Sequence, residues 1–338
     1  MSKNLNLFKE ILNSENLPSH NDLFSAAEKV SSLLENEVCN YRPAASGGMP
    51  GSLLDFRASA LPFIVIPDLH ARPHFLFDIL SYKLPAGFCD SAALTVIDAL
   101  EKGLVNLIFL GDALHTERTT KQRWAEIQME FDRGNCTGPK IQLEMTEGLN
   151  LLLALMQLKI IFPEHFHYLK GNHENITNRT GKGDFSFVKY ADEGRMGCEF
   201  IREYYGDDVL YMIHCVEEAL PLIAVNSNCI VSHAEPRECF SKEQLINARE
   251  DSFVIEGLTW TDNDEAAAGS ADYIINQFAQ DNLSAENYVY LGGHRPVPAK
   301  YLERQDGKFV QIHNPLMQNI AIVRTDRKFN PEIDIVEV

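Results

Sequence analysis

The sequence predicts an α/β fold built on two packed sheets. Short apolar runs alternate with helical stretches from residue 61 to about residue 170, which is typical of a largely parallel sheet. From about residue 220 the strands become denser, which indicates a second sheet packed on the first with helices outside. With 338 residues and 45% hydrophobic content, the chain can fill one large domain or two modest ones.

The first 40 residues predict two helices. Their apolar residues recur at helical spacing, first Leu5, Leu7, Phe8, Ile11 and Leu12, then Leu23, Phe24, Ala27, Val30, Leu33 and Leu34. A loop of small residues, PAASGGMPGS (43–52), follows them. We therefore expect residues 1–60 to form an N-terminal helical extension and linker, and 61–338 to form the main domain. The apolar stripes of the extension are expected to pack on that domain.

Three buried strands and their intervening helices make up the first half of the main domain. The strands are LPFIVIPD (61–68), VNLIFLGD (105–112) and HFHYLKGNHE (165–174). Helical patterns fill the gaps at FLFDILSY (75–82), 91–102, 118–133 and 141–158. Ligands of such sheets collect beyond the carboxyl ends of the strands, so the polar residues at these ends are the candidates for a site.

Six further apolar segments predict the strands of the second sheet. They are ALPLIAV (219–225), NCIVSHAE (228–235), NYVYLGGH (287–294), KFVQIH (308–313), QNIAIVRTD (318–326) and EIDIVEV (332–338). NCIVSHAE carries His233 and NYVYLGGH carries His294, each one or two small residues after the apolar run. These ends resemble the strand ends of the first half.

The composition limits the partners and the location. A formal net charge of -18 disfavours binding to a nucleic-acid polymer, because an acidic surface repels phosphate backbones. A polyanionic substrate would then need a local cationic centre, which bound metal ions supply. The seven cysteines form no CxxC pair, and no segment reaches the roughly 18 apolar residues that span a bilayer. We expect a cytoplasmic protein with reduced thiols and no membrane partner.

Five strand ends carry residues that can bind metal. They are Asp68, His70, Asp112, Asn172, His233 and His294. Taken singly, each has an ordinary structural interpretation as a helix cap, a hydrogen-bonded histidine or a glycine turn. Taken together, oxygen and imidazole ligands suit borderline ions such as Mn, Fe or Zn. Because one carboxylate can bridge two ions, the set indicates a two-metal site that acts on phosphate esters.

These residues lie in motifs that resemble those of the calcineurin-like metallophosphoesterase superfamily. The family order GDxHG, GDxxDRG, GNHE, HGG and GH is matched by PDLHA (67–71), GDALHTE (111–117), GNHE (171–174), SHAEP (232–236) and GGH (292–294). The likeness is greatest to the phosphoprotein-phosphatase branch, which includes Ser/Thr phosphatases and symmetrical diadenosine tetraphosphatases. LTWTDND (258–264) and the final strands extend it, so that it covers about 61–338.

The resemblance implies a four-layer sandwich of two mixed sheets flanked by helices. It places one metal ion on Asp68 and His70, with Asp112 as a bridge to a second ion. It places that second ion on Asn172, His233 and His294, two divalent or trivalent ions in all. His173 would lie beside the leaving-group oxygen as a general acid or phosphate contact, and a metal-bound hydroxide would attack phosphorus. The implied substrate is a phosphorylated protein, nucleotide or small molecule.

The second motif departs from the family pattern. Where the family has DRG, this chain has His115, Thr116 and Glu117. The missing Asp supports the catalytic histidine in the family, and the missing Arg holds the phosphate. His115 is therefore a candidate to orient His173 or to contact the substrate, with a simple loop residue as the alternative.

Three arginines are candidates to replace the missing one. Arg72 and Arg118 lie next to the first two motifs, and Arg179 follows GNHE. The alternative for each is an exposed, solvated charge. The helices inserted around the second motif are expected to form a partial cap over the site. Two other functions remain open at this point: a noncatalytic metal-containing binding or regulatory protein, and a dinucleoside polyphosphate hydrolase.

Overall fold

A computed structural model describes residues 2–37, 40–85, 88, 94–117, 121–279 and 285–338. The described strands are β1 Leu53–Asp55, β2 Phe63–Ile66, β3 Asn106–Phe109, β4 Phe166–Tyr168, β5 Ile223–Val225, β6 Cys229–Ser232, β7 Val289–Gly292, β8 Leu302–Arg304, β9 Phe309–Gln311, β10 Asn319–Val323 and β11 Ile335–Glu337. Each predicted strand is present, and β1 and β8 are additional. The expectation that all six later strands form the second sheet was wrong for β10 and β11, because β10 pairs with β2 and β11 pairs with β10.

The helices cover both outer faces of the molecule. The described helices are α1 Lys3–Leu12, α2 His20–Glu35, α3 Pro73–Ser81, α4 Val96–Glu101, α5 Lys121–Phe131, α6 Pro139–Ile161, α7 Glu193–Tyr205, α8 Asp207–Ala219, α9 Lys242–Asn247, α10 Ser252–Thr259, α11 Ser270–Phe278 and α12 Pro331–Asp334. Within the described ranges, none of them combines the length and apolarity that crossing a membrane would require.

The strands form two mixed sheets. One has the order β1-β5-β6-β7-β9-β8, and the other has the order β11-β10-β2-β3-β4. In the five-stranded sheet β2, β3 and β4 are parallel neighbours, and in the six-stranded sheet β6, β7 and β9 are parallel neighbours. Each sheet therefore gathers three carboxyl strand ends at one edge.

Alternating side chains along the strands build a sandwich. In β2, Ile64 and Ile66 belong to the apolar core beneath the helices. Phe63 and Val65, the alternate residues, belong to the core between the two sheets. Because successive strand residues point to opposite faces, a strand of this kind must be apolar on both sides. The predicted fold class, two packed sheets between helical layers, is confirmed.

The N-terminal helices pack on the body of the protein. Phe8 of α1 and Leu23 of α2 are fully buried in the same core as β2 and β3. Strand β1 pairs in parallel with β5, at the edge of the six-stranded sheet. The predicted division at residue 60 is therefore not a division of the packing, because residues before it complete a core and a sheet formed by residues after it.

The inserted helices do not act together as a cap. Most of α6 is buried, so it is a core helix, and the expectation that this insertion caps the site was wrong for α6. Helix α5 does border the second motif, since Trp124 Nε1 donates to the Thr116 carbonyl oxygen at 3.2 Å. Residues 118–120, which join that motif to α5, lie outside the described part of the chain.

Candidate metal centre

The predicted ligands meet where the carboxyl ends of the two sheets come together. The loops after β2 and β3 are joined by main-chain hydrogen bonds, since His70 N–H donates to the Asp112 carbonyl at 2.9 Å. In the other sheet, Gly293 N–H donates to the His233 carbonyl at 2.7 Å. These bonds continue the strand pairing into the loops. The loops therefore hold their side chains on a rigid base.

Several of these residues have backbone torsions that side chains other than glycine rarely adopt. The φ angle is +43° at His70, +62° at Asp112 and +65° at His294. Asp and His tolerate this left-handed region better than most residues, but it still costs energy. Strain of this kind is concentrated at functional sites, where the surrounding structure enforces it. Three predicted ligands have this left-handed backbone conformation, which distinguishes these strand ends from ordinary turns.

Two glycines allow the loops to approach each other. A Cβ atom on Gly293 would lie 1.9 Å from Asp68 Oδ1, and one on Gly171 would lie 2.3 Å from Asp112 Oδ1. Neither gap admits a methyl group. The glycines of GGH and GNHE are therefore required by the close approach of a backbone to a carboxylate.

Three ligand atoms converge at the second predicted metal position. His233 Nε2 lies 2.9 Å from Asn172 Oδ1 and 3.2 Å from His294 Nδ1. His294 Nδ1 lies 3.0 Å from the same amide oxygen. His233 Nδ1 is bound to the Leu110 carbonyl at 3.1 Å, which fixes the ring with Nε2 toward the site. His233 Nε2 is also 3.5 Å from Asp112 Oδ2, the predicted bridge.

The first predicted position has wider spacings. His70 Nε2 lies 3.7 Å from Asp68 Oδ2 and 3.8 Å from Asp112 Oδ2. Two ligand atoms at 2.0–2.2 Å from one ion are roughly 2.8–3.8 Å apart for angles of about 90° to 120°. The spacings at both positions fit this range. Neither ring nitrogen of His70 has a hydrogen-bond partner among the described residues, although the residue is 2% exposed.

The fit to metal ions rests on the ligand spacings and on the buried ring nitrogens of His70 and His313, which have no hydrogen-bond partner among the described residues. An unpaired buried polar group costs about 1–3 kcal/mol, so such groups call for a partner. Imidazole nitrogens and carboxylate oxygens at these spacings form three sets that can hold a cation: Asp68, His70 and His313; His70, Asp112 and His173; and Asp68, Asp112 and His233.

The electrostatics of the site also favour a bound cation. Burial, together with the neighbouring charges of Glu174 and Asp68, raises the pKa of Asp112 well above its usual range. Burial lowers the pKa of His233 and His294, which keeps both imidazoles neutral, the form that binds metal. A cation would relieve the repulsion between the carboxylates.

Glu174, the last residue of GNHE, ties two loops together. Its carboxylate accepts hydrogen bonds from the N–H groups of Asp112, Ala113 and Gly171 at 2.8, 3.0 and 2.7 Å. It also accepts from Tyr168 Oη at 2.6 Å. Four donors on one buried carboxylate hold the loops after β3 and β4 in register. Sequence analysis assigned no role to this residue.

His173 is paired with His115, as one of the sequence interpretations expected. The two Nδ1 atoms lie 3.3 Å apart, and the ring of Phe187 packs on His173 with centroids 3.7 Å apart. Burial lowers the pKa of His173 well below its usual range, and it lowers that of His115 to about 3. The pair is therefore neutral, with one Nδ1 donating and the other accepting. This differs from the charged support that a carboxylate would give.

The candidate arginines are placed differently from each other. Arg72 is buried, and its guanidinium donates to the carbonyl oxygens of Asp68 at 2.6 Å, Leu69 at 2.9 Å and Asn314 at 3.2 Å. It would have to break these bonds to hold a phosphate. Arg179 is engaged in ion pairs with Asp184 and Glu218. Arg118 lies outside the described residues.

Two other cations line the cleft beside the metal ligands. Lys189 and Arg295 border a cleft of about 140 Å³, which Asp112, Asn172, His173, His294, Phe187 and Trp260 also line. Lys189 is paired with Glu117, and Arg295 is paired with Asp262 at 2.8 Å. Neither Lys189 nor Arg295 was predicted from the sequence as a site residue. The position of Arg295 directly after the GGH motif was a signal that could have found it.

Two further side chains that sequence analysis did not assign reach the first metal position. Glu117 Oε1 lies 3.6 Å from His70 Nε2, and Glu117 Oε2 lies 3.6 Å from His313 Nε2. His313 follows β9, so it repeats the pattern of a buried strand that ends in histidine. Glu117 is the last residue of the divergent GDALHTE motif. The histidine at the end of the apolar segment KFVQIH is the signal in the sequence from which His313 could have been predicted.

No model of a known protein family matches the sequence. Among solved structures, the protein serine/threonine phosphatase from Saccharomyces cerevisiae with similarity to human phosphatase PP5 is similar with a TM-score of 0.60 and 13% identity, over 100% of this chain and 95% of that chain. A cold-active protein-tyrosine phosphatase of a psychrophile Shewanella has a TM-score of 0.46 at 14% identity, over 79% and 76% of the two chains. A protein described as a diadenosine tetraphosphatase has a TM-score of 0.42 at 13% identity, over 85% and 97%. The first similarity shows that the chain shares its fold with that phosphatase.

Proposed function

We propose that this protein is a metal-dependent phosphoesterase that hydrolyses a phosphate ester at a dinuclear centre. The observation that carries the proposal is the convergence of six predicted ligands at one edge of a fold shared with a phosphatase. The buried ring nitrogens of His70, which have no hydrogen-bond partner among the described residues, support metal binding rather than a purely structural role.

The proposed ligands divide between two positions that share one carboxylate. Asp68 and His70 would hold the first ion, Asp112 would be shared by both, and Asn172, His233 and His294 would hold the second. Manganese, iron and zinc suit this mixture of oxygen and nitrogen ligands. When bound, two such ions supply positive charge for the phosphoryl oxygens and activate a water molecule.

His173 is the proposed proton donor to the leaving group. If His115 Nδ1 carries the proton of the pair, His173 Nδ1 is the acceptor and the proton of His173 resides on Nε2. That nitrogen lies 3.7 Å from Asp112 Oδ2 and therefore beside the metal ligands. A neutral imidazole with its proton on Nε2 can protonate a departing alkoxide as a general acid. His115 is then a positioning residue that selects the tautomer.

Lys189 and Arg295 are the proposed phosphate contacts in place of the family arginine. Both border the cleft, where Lys189 is paired with Glu117 and Arg295 with Asp262, so a bound phosphate would compete with these carboxylates for the two cations. The cleft of about 140 Å³ is smaller than the roughly 300 Å³ at which pockets for whole small molecules begin. We therefore favour substrates that insert a phosphoryl group and leave their bulk outside, such as a phosphorylated side chain, over a dinucleoside polyphosphate.

Phosphate release by metal-free protein refilled with Mn²⁺ tests the proposal. The substrates would be a phosphopeptide, an aryl phosphate and a dinucleoside tetraphosphate, and elemental analysis would give the metal content. We expect Mn²⁺-dependent turnover, highest on the phosphopeptide or the aryl phosphate. Protein that binds no metal ion would refute the proposal. Two bound ions without turnover on any substrate would favour a noncatalytic metal-binding protein, the alternative that the neutral His115 motivates.

The substitution His173→Ala separates catalysis from metal binding. Because His173 is proposed to move a proton and not to hold an ion, turnover should fall about 100-fold or more while metal content stays near that of the wild type. His165→Ala is the matched control, since His165 contacts Asn106 at the amino end of β3, away from the carboxyl strand ends. Loss of metal in the His173 variant, or a turnover equal to that of the control, would show that the role is misassigned.

A further inference from the structure

The first metal position has two more potential ligands than the family pattern gives it. Glu117 approaches from the loop after β3, and His313 approaches from the end of β9. His313 is 0% exposed, and the Glu117 side chain is 8% exposed. His313 also lies near Asp68, with 4.0 Å between its Nδ1 and Asp68 Oδ2. Both side chains thus border the ligands already assigned to this position.

The distances from Glu117 to His70 and His313 fit ligands of one shared ion better than direct hydrogen bonds between these side chains. Glu117 is 3.6 Å from His70 and 3.6 Å from His313, which exceeds the length of a hydrogen bond between nitrogen and oxygen. The same distances lie within the roughly 2.8–3.8 Å that separates two ligand atoms of one ion. Asp68, His70 and His313 already form one of the sets that can hold a cation.

The unpaired atoms of His313 provide an independent observation. Neither Nδ1 nor Nε2 of this fully buried ring has a hydrogen-bond partner among the described residues. A buried imidazole that served only the packing would be expected to satisfy at least one nitrogen, as His167 does with the Glu164 carbonyl. Both nitrogens of His313 instead face carboxylates at distances of 3.6 and 4.0 Å.

We propose that Glu117 and His313 are ligands of the ion at the first position. This inference rests on the proposed dinuclear centre. Five protein side chains would then surround the first ion, namely Asp68, His70, Asp112, Glu117 and His313. Four would surround the second, namely Asp112, Asn172, His233 and His294. The divergent motif GDALHTE thus replaces a phosphate-binding arginine loop with a metal-binding one.

The additional ligands make the centre asymmetric. Five protein ligands leave an ion of coordination number six little room for substrate, so the first ion is tightly held. The second ion keeps open positions, which is the arrangement of catalytic sites. Asp68, Asp112 and Glu117 together carry three negative charges against four or more on two ions. A positive excess therefore remains for a phosphate, and Lys189 adds to it.

Titration of the metal-free full-length protein with Co²⁺ tests the inference. Visible absorption and calorimetry would report binding without any need for turnover. The wild type should bind two ions of unequal affinity. His313→Asn and Glu117→Gln should each weaken the tighter class at least tenfold and leave the weaker class unchanged, because even the loss of an outer partner of a ligand costs 10–100-fold in affinity.

Matched variants control for burial and charge. His167→Asn removes another buried histidine, 1% exposed, which bonds to the Glu164 carbonyl. Glu37→Gln removes a carboxylate that is also 8% exposed and also paired with a lysine, Lys159. Both controls should bind Co²⁺ as the wild type does. Folding of each variant would be checked by circular dichroism.

A count of coordinated imidazoles in the wild type does not depend on any variant. Proton NMR of the Co²⁺-loaded protein should show four shifted, exchangeable imidazole N–H signals, from His70, His233, His294 and His313. Three signals, or Co²⁺ titrations of folded His313→Asn and Glu117→Gln that match the wild type, would overturn the inference and leave the dinuclear centre intact. A wild type that binds no Co²⁺ would overturn the proposed function as well.

Discussion

Replacement of Glu174 by glutamine removes one charge and little volume from the junction of two catalytic loops. One carboxylate oxygen accepts from Asp112 N–H and Gly171 N–H, and the other accepts from Ala113 N–H and Tyr168 Oη. A glutamine can keep the first pair on its carbonyl oxygen. Its NH₂ group then faces Ala113 N–H, so that one buried main-chain donor loses its acceptor.

The magnitude follows from these four contacts. An unsatisfied buried N–H costs about 1–3 kcal/mol, and each remaining bond weakens by roughly 0.5–1.5 kcal/mol when its acceptor loses its charge. We expect Glu174→Gln to lower the free energy of unfolding by about 2–6 kcal/mol, from the one lost bond and the two that remain on the amide oxygen. Guanidinium chloride unfolding of the metal-free protein at pH 7, followed by circular dichroism, would measure it.

Glu217→Gln is the matched control for this prediction. Glu217 is also buried and accepts from one main-chain group, Ile176 N–H at 2.9 and 3.1 Å. Burial raises its pKa well above the usual range, so a neutral amide should replace it at a cost under about 1 kcal/mol. A Glu174 variant within about 0.5 kcal/mol of the wild type, or a control equally destabilised, would refute the reasoning.

Three further changes probe other parts of the molecule. Gly293→Ala should lower both the free energy of unfolding and the Mn²⁺ content, since the new Cβ would lie 1.9 Å from a carboxylate oxygen of Asp68. Gly134→Ala is the control, because open space surrounds Gly134, and it should cost only about 1 kcal/mol. Unfolding curves and elemental analysis measure both effects, and equal effects of the two substitutions would contradict the prediction. Burial raises the pKa of Glu144 to about 7, so the folded state binds a proton that the unfolded state releases near pH 4.5. Stability of the wild type relative to Glu144→Gln should therefore fall by roughly 3 kcal/mol as the pH rises from 4.5 to 7.5, and parallel pH profiles would contradict this. Lys189→Met should lower kcat/KM about 10–100-fold through a lost phosphate contact, while Lys308→Met, which removes a lysine of similar exposure, should leave kcat/KM unchanged.

The strands were predictable because their signal is local. Runs such as FIVI in β2 and NLIF in β3 are apolar on both faces, and they end where polar residues begin. The order of the motifs then predicted six candidate metal ligands, and the side chains of these residues lie close together in the structure. Strand β1 was not predicted, because three residues carry too little local pattern. LLD forms a strand by pairing with β5, about 170 positions later in the chain.

The roles of single charged residues were less predictable. Arg72 stands beside a metal-ligand motif, as a phosphate-binding residue would, yet its donors are taken by carbonyl oxygens that include those of Asn314 and Pro315. Nothing within the first motif indicates that these carbonyls lie within reach. The prediction of a phosphate contact at Arg72 therefore did not account for the main-chain carbonyl oxygens that accept hydrogen bonds from its guanidinium.

The sequence by itself determined the fold class, the strand ends and the chemistry of six candidate ligands, because apolar periodicity and motif order are properties of the chain. The tertiary structure alone decided that Glu117 and His313, 196 positions apart, border the same predicted metal position. It also decided that His115 faces His173 and that α6 is a core helix and not a cap. The physical reason is that convergence depends on which strands become neighbours and in what register, and these are set by packing over the whole domain.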